Sequence, residues 1–283
     1  MIEATVHDAR PCTLGEGPLW HPERKQLFWF DIIGQKLLSR EDDAPLEWAF
    51  DEAVSAAGWV DMHRLFVASE TQLFTFDVTS GARSKVLDLD AEDPVTRSND
   101  GRADPMGGFW IGTMGKNFES EAGAIYRYYR GELRRIAADI TVANSICFAP
   151  DGSVAYYTDT PTRRILRVAL DADGWPAGAA EVFVDLSGDR PLPDGSVVDS
   201  EGALWNAQWN MGRVARYLPD GSFDRAIAVP ARRTSCPAFG GDDLTTLFVT
   251  TARTGLDAPD AAQGVLYTAP AGVAGVPEPR VIL

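Results

Sequence analysis

Four side chains able to offer oxygen to a cation stand just ahead of small residues at separate points of the chain. They are Glu16 in Leu14-Gly15-Glu16-Gly17-Pro18, Asn99 in Arg97-Ser98-Asn99-Asp100-Gly101, Asn144 in Ala143-Asn144-Ser145, and Asp194 in Pro193-Asp194-Gly195-Ser196. Two buried carboxylates held a few ångströms apart repel, and desolvation raises the pKa of at least one of them. A divalent cation removes the repulsion. An all-oxygen donor set suits Ca²⁺, Mg²⁺ or Mn²⁺, with Zn²⁺ and Fe²⁺ as further candidates because they also accept carboxylates. Asn and Asp ahead of glycine also make ordinary turns, so no one of these residues is decisive. The metal reading rests on all four occupying equivalent places in a repeat.

The repeat is legible. An apolar residue followed by an aromatic one recurs beside a turn at Leu27-Phe28, Leu65-Phe66, Phe109-Trp110, Ala155-Tyr156, Leu204-Trp205 and Leu247-Phe248, with successive aromatic members roughly 38 to 49 residues apart. That period matches one four-stranded antiparallel sheet with its turns, the signature of a β-propeller. In Ile146-Cys147-Phe148-Ala149-Pro150-Asp151-Gly152-Ser153-Val154-Ala155-Tyr156-Tyr157, apolar runs flank a Pro-Asp-Gly turn. Proline presets one turn angle and glycine accepts positive φ, which makes this a hairpin signal. Third strands follow at Ala124-Ile125-Tyr126-Arg127-Tyr128, Arg164-Ile165-Leu166-Arg167-Val168, Gly212-Arg213-Val214-Ala215-Arg216-Tyr217 and Gly264-Val265-Leu266-Tyr267, and a fourth at Ala180-Glu181-Val182-Phe183-Val184. The expectation is an all-β, six-bladed β-propeller with four antiparallel strands per blade, a single domain over 1–283. Ile2 to Asp8 would complete the last blade and hide its edge. Glu16, Asn99, Asn144 and Asp194 then open the inner strands of blades 1, 3, 4 and 5 and converge at one mouth of the central tunnel.

Composition narrows the partners. The chain has 283 residues, 45% of them hydrophobic and 24% charged, enough to bury a sizeable core. A net charge of −15 repels a polyanion, so nucleic acid is not the expected partner. The start, Met1-Ile2-Glu3-Ala4-Thr5-Val6-His7-Asp8, has no basic region followed by an apolar stretch, and no long uncharged apolar run follows. A cytoplasmic protein away from the membrane, monomeric or a small homo-oligomer, is expected. Cys12, Cys147 and Cys236 lack metal-type spacing and read as buried reduced thiols. With only His7, His21 and His63, and no glycine-flanked elbow around Ser145, a serine triad or a histidine-bound zinc lacks material. Trp209, in Gln208-Trp209-Asn210, can line a pocket with an apolar face. Thr250, Thr251 and Arg253 in blade 6 either approach the mouth or satisfy backbone groups.

Several segments carry a resemblance. Leu14 to Trp20, Asn99 to Pro105, Ile111-Gly112-Thr113-Met114, Ala143 to Ser145 and Pro193 to Gly202 resemble the gluconolactonase, regucalcin and senescence-marker-protein family, the sugar lactonases. The similarity runs from about Leu14 to Arg253, in order through four blades. It implies a propeller with one catalytic divalent metal ion that hydrolyses sugar-acid lactones. By resemblance, Glu16, Asn144 and Asp194 hold the metal, Asn99 holds substrate or a metal-bound water, and Arg97 hydrogen-bonds substrate oxygens. Some relatives place a sugar-binding glutamate three residues after Gly-Thr-Met; here that position is Asn117, preceded by Lys116.

A lactone is an activated ester, so hydrolysis needs a polarised carbonyl and a positioned water. Asp194 is the candidate general base. Arg97 and Lys116 can also meet an anionic substituent, such as a second acid or a sulfonate, although a solvated surface position is the ordinary reading of a lysine. Two alternatives share the fold: a propeller phosphotriesterase using a further amide ligand, and a non-catalytic calcium-binding propeller.

Overall fold

The computed structural model describes residues 2–188 and 191–283. Their strands form six four-stranded antiparallel sheets, the propeller that the repeat predicts. The innermost strands are Gly15–His21, Val54–Trp59, Thr96–Ala103, Ala143–Phe148, Leu192–Val198 and Thr234–Gly240, one for each blade from 1 to 6. In blades 1 to 5 the strands follow chain order outward. Blade 6 is completed by Thr5–Asp8, antiparallel to Leu266–Pro270, so the ring closes as expected and the edge is paired. A 3-10 turn at Thr160–Thr162 is the one helical element among the described residues, and none of their helices is long and apolar enough to cross a membrane.

The repeating residues hold the blades together. Phe28, Phe66, Trp110, Tyr156, Trp205 and Phe248 each lie on the second strand of a blade and each enters a different buried cluster between neighbouring blades. Burying an aromatic side chain of this size contributes about 1.5–3 kcal/mol. The period is therefore one large side chain per blade interface. Turn chemistry agrees locally: Gly152 of the Pro-Asp-Gly turn sits at φ 72° and its N–H donates to Ala149 O at 2.9 Å. The third strand of blade 6 begins at Leu266, two residues later than expected, because Gly264 is turned to φ 79° and its carbonyl accepts from Cys12 N–H. Cys12, Cys147 and Cys236 are free and buried.

Residues 271–283 cross the face where the inner strands end. Ser200 N–H, just past the inner strand of blade 5, donates to Ala274 O at 2.9 Å. Trp59, the last residue of the inner strand of blade 2, donates its indole N–H to Glu278 O at 2.7 Å and accepts Val281 N–H at 2.9 Å. Ile282 N–H reaches Gly107 O in blade 3. Between these anchors the Glu278 carboxylate is buried against the Arg102 guanidinium. The C-terminal segment thus covers the tunnel mouth opposite the one where the inner strands begin.

Candidate metal and substrate site

All six inner strands break register with their neighbour at the same rung, between Glu16 and Leu19, Val54 and Ala56, Ser98 and Gly101, Asn144 and Cys147, Pro193 and Ser196, and Thr234 and Pro237. A bulge of this kind re-aims the side chain beside it. Glu16, Ser55, Asn99, Asn144, Asp194 and Ser235 therefore form a ring, all nearly buried. In blade 1 the bend requires Gly17 at φ 51°, where a Cβ would collide with Ser55 O. Sequence reading found four of the six. Ser55 and Ser235 carry no glycine or carboxylate signal, and they brace the ring: Ser55 Oγ donates to Ser98 Oγ at 2.8 Å and Ser235 Oγ to Gly15 O at 2.6 Å.

Glu16, Arg97, Asn99, Asn144 and Asp194 all line a cavity of about 520 Å³ at this mouth. Arg97 Nη1 donates to Ser98 O and to Asn99 Oδ1, each at 2.8 Å. Asn99 Nδ2 donates to Ala143 O at 2.9 Å and Asn144 Oδ1 at 3.1 Å. Asn144 Nδ2 donates in turn to Thr160 Oγ1 at 2.9 Å. The Asp194 carbonyl is held by Ser145 Oγ at 2.5 Å and Asn206 Nδ2 at 3.0 Å. Ser145 itself sits at φ 59°, left-handed backbone that costs on the order of 1–3 kcal/mol in a non-glycine residue.

The floor is short of positive charge. Burial, then the neighbouring Asp100, pushes Glu16 up to about 8. Burial, then Glu16 and Asp100, raises Asp194 well above the ordinary carboxylate range. Asp100 is pushed up to about 6 by burial, and its Oδ2 accepts Ile146 N–H at 2.7 Å. Sequence reading missed Asp100, which lies beneath the site rather than on its wall. Burial also lowers Arg97 to about 10, against the pull of Glu16, Glu70 and Asp194. Among the described residues, none of these three carboxylates forms an ion pair within 4.0 Å.

Two carboxylates and an amide oxygen without cationic partners are donors that fit a hard divalent ion. Among the described residues no three His, Cys, Asp or Glu side chains gather as a metal group, so a cation here also needs amide oxygen. Asn144 Oδ1 supplies it. The amide oxygen of Asn99 accepts from Arg97.

Lys116 and Asn117 are outside the cavity lining. Lys116 Nζ pairs with Glu70 and donates to Pro94 O, while Asn117 donates its N–H and Nδ2 to Glu119. Their loop reaches the rim through Phe118, which is 67% exposed. Trp209 lines the cavity, joined by Thr160, Arg163 and Arg233, none of which the sequence reading assigned to the site. Thr250 and Thr251 turn to backbone, donating to Cys236 O and Val265 O, and Arg253 Nε to Gln263 O. His21 is fully buried away from the mouth, its Nε2 2.9 Å from Asp61 O.

A six-bladed propeller with an oxygen-lined mouth defines a structural class used for several tasks. Residues 14–253 match the SMP-30/Gluconolactonase/LRE-like region, and the chain belongs to that family. An L-arabinolactonase of Azospirillum brasilense is 37% identical over 95% of this chain and 92% of its own length. A 6-deoxy-6-sulfogluconolactonase of Pseudomonas putida is 33% identical over 95% of each chain. The crystal structure of regucalcin, a calcium-binding protein of Agrobacterium tumefaciens, superposes with a TM-score of 0.95 at 39% identity, covering 100% of this chain and 98% of that one.

Proposed function

We propose that this protein is a lactonase that hydrolyses a sugar-acid lactone to the open-chain acid with a divalent cation held by Glu16, Asn144 and Asp194. The enzyme class is supported by relatives at 33% and 37% identity that are named lactonases. The observation that carries the metal reading is the pair of buried carboxylates, Glu16 and Asp194, facing one cavity with raised pKa values and no ion-pair partner. A divalent cation bound there supplies Lewis-acid polarisation of a carbonyl oxygen.

The chain's own groups do the rest. Asp194 takes a proton from the water that attacks the lactone carbonyl carbon, and returns it to the ring oxygen as the ester bond breaks. Water adds across that bond, and the products are one carboxylic acid and one hydroxyl. Proton transfer through a positioned carboxylate typically contributes about a hundredfold to ten-thousandfold. Arg97 is aimed by Ser98 O and Asn99 Oδ1 and keeps N–H groups to donate to substrate oxygens. Asn99 couples Arg97 to Asn144 and so holds both in register. Its amide oxygen accepts one hydrogen bond from Arg97, as that of Asn144 does from Asn99, and each keeps a second lone pair. Three buried free thiols suit a reducing compartment, and we assign the protein to the cytoplasm.

Ring opening releases acid, so a pH-indicator assay over glucono-, xylono-, arabino- and galactonolactone tests substrate and metal together. Chelation should abolish turnover and readdition of one divalent ion should restore it. Asp194→Asn and Glu16→Gln should each lower kcat/KM at least a hundredfold. Full activity in chelated protein or in Asp194→Asn removes the proposal; hydrolysis of an aryl phosphotriester alone moves it to the phosphotriesterase reading.

A further inference from the structure

The cavity wall opposite Arg97 is built around a second arginine. Arg97 is the second residue of the inner strand of blade 3, and Arg233 directly precedes the inner strand of blade 6, three blades away around the ring. Both line the same cavity. The Arg233 guanidinium lies 4.9 Å over the Trp209 ring, and Nη2 donates to Gly255 O at 2.7 Å. Its Nε is buried without a hydrogen-bond partner, and among the described residues the side chain forms no ion pair. A buried donor left unmade is uncommon and asks for an explanation.

The contrast with other cations is informative. The chain carries 41 acidic and 26 basic residues, so an arginine has carboxylates in excess to choose from. Lys116 has taken Glu70, and the buried Arg102, Arg127 and Arg216 each have a carboxylate. Arg97 feels Glu16, Glu70 and Asp194. Arg233 is lowered by burial first and then by its neighbour Arg232, with no carboxylate offsetting either. Its planar fork is fixed by stacking on Trp209 and by one bond to Gly255. The terminal N–H groups not spent on Gly255 are available to a planar or tetrahedral oxyanion, the geometry a guanidinium binds bidentately.

We propose that Arg233, resting on Trp209, is a specificity-determining residue that makes the site select lactones carrying an oxyanion, a carboxylate or sulfonate, on the carbon remote from the ring ester. The inference deepens the lactonase reading and rests on it for the word lactone. The anion would occupy the side of the cavity formed by Trp209, Arg233, Thr254 and Gly255, with the ester at the Glu16 and Asp194 floor.

Three lactones of matched ring size, ending in a neutral hydroxymethyl, a carboxylate or a sulfonate, are compared in the metal-loaded protein. The wild type should favour one or both anionic lactones at least tenfold in kcat/KM, and whichever arm leads identifies the oxyanion. Arg233→Met should cut the anionic-to-neutral ratio at least tenfold, mainly through KM, and Arg233→Lys should restore part of it. A wild type that prefers the neutral lactone overturns the proposal. So does Arg233→Met lowering all three arms equally, as a purely structural arginine would. If no lactone turns over, the lactonase reading has failed, and calorimetry with the open-chain aldarate and aldonate decides the arginine separately. Tighter aldarate binding by wild type than by Arg233→Met sustains the anion site; equal binding ends it.

Discussion

Thr160 has one hydroxyl proton, and it donates it to Pro193 O at 2.8 Å. Towards Asn144, 2.9 Å away, the hydroxyl can therefore only accept. The group of Asn144 that faces Thr160 must be its Nδ2, which turns Oδ1 into the cavity as a ligand oxygen. Thr160 is thus a positioning residue, acting on the site through another side chain. Thr160→Val should weaken divalent-ion affinity of the metal-free protein about tenfold to a hundredfold, the usual effect of losing such a partner. Thr160→Ser should retain it. Calorimetry with the metal alone reads this without turnover, and equal affinity in wild type and Thr160→Val would refute the role. Asn144 itself was legible from its place in the repeat, and Thr160 was not. Its task depends on Pro193, which comes beside it only when blades 4 and 5 pack.

At the scale of the strand, the bulge shared by all six inner strands turns a backbone repeat into a site. Alternation and turn residues marked where strands run, yet nothing in Val54-Ser55 or Thr234-Ser235 announces an extra residue in the ladder. A bulge is set by the pairing of two strands, so one strand's composition does not encode it. The end of the blade 1 inner strand shows the same dependence. His21 packs against Trp59 of blade 2, its ring 5.4 Å away, with Nε2 donating to Asp61 O and Nδ1 accepting Arg24 N–H at 3.2 Å. That arrangement uses the neutral imidazole, and burial first, then Arg24, holds its pKa below the ordinary value of 6.5. A histidine with a depressed folded pKa contributes stability that is complete above its unfolded value and lost as pH falls through the folded one. Urea melts at pH 7.5 and 5 should therefore show wild type losing more stability on acidification than His21→Gln. Parallel losses in the two proteins would show that His21 titrates alike in the folded and unfolded states and would refute the depressed pKa.

For the whole molecule, closure operates at both the rim and the axis. Thr5–Asp8 completes blade 6, and residues 271–283 tie blades 2, 3 and 5 together across the far mouth. Glu278 is the residue that seals the axis, because the Arg102 it meets has its other terminal nitrogen 3.3 Å from Ser196 O of blade 5. Glu278→Ala leaves that guanidinium buried without its carboxylate, and breaking such a pair costs about 3–5 kcal/mol. The double variant Arg102→Met with Glu278→Met should be more stable than Glu278→Ala in denaturant melts, since no lone charge remains. A double variant less stable than the single one would refute a buried-charge penalty.

The amino-acid sequence by itself determined the period, the blade count, the all-β class and the convergence of Glu16, Asn99, Asn144 and Asp194. These follow from turn chemistry and strand alternation, which act over a few residues and recur with each blade. Only the tertiary structure decided that Lys116 is spent on Glu70, that Arg233 faces the cavity without a carboxylate, and that Asp100 lies beneath the site. It also decided that the C-terminal segment stops the far mouth. The physical reason is that a charge takes its partner from whatever side chain the closed ring brings near, and those neighbours are separated along the chain by whole blades.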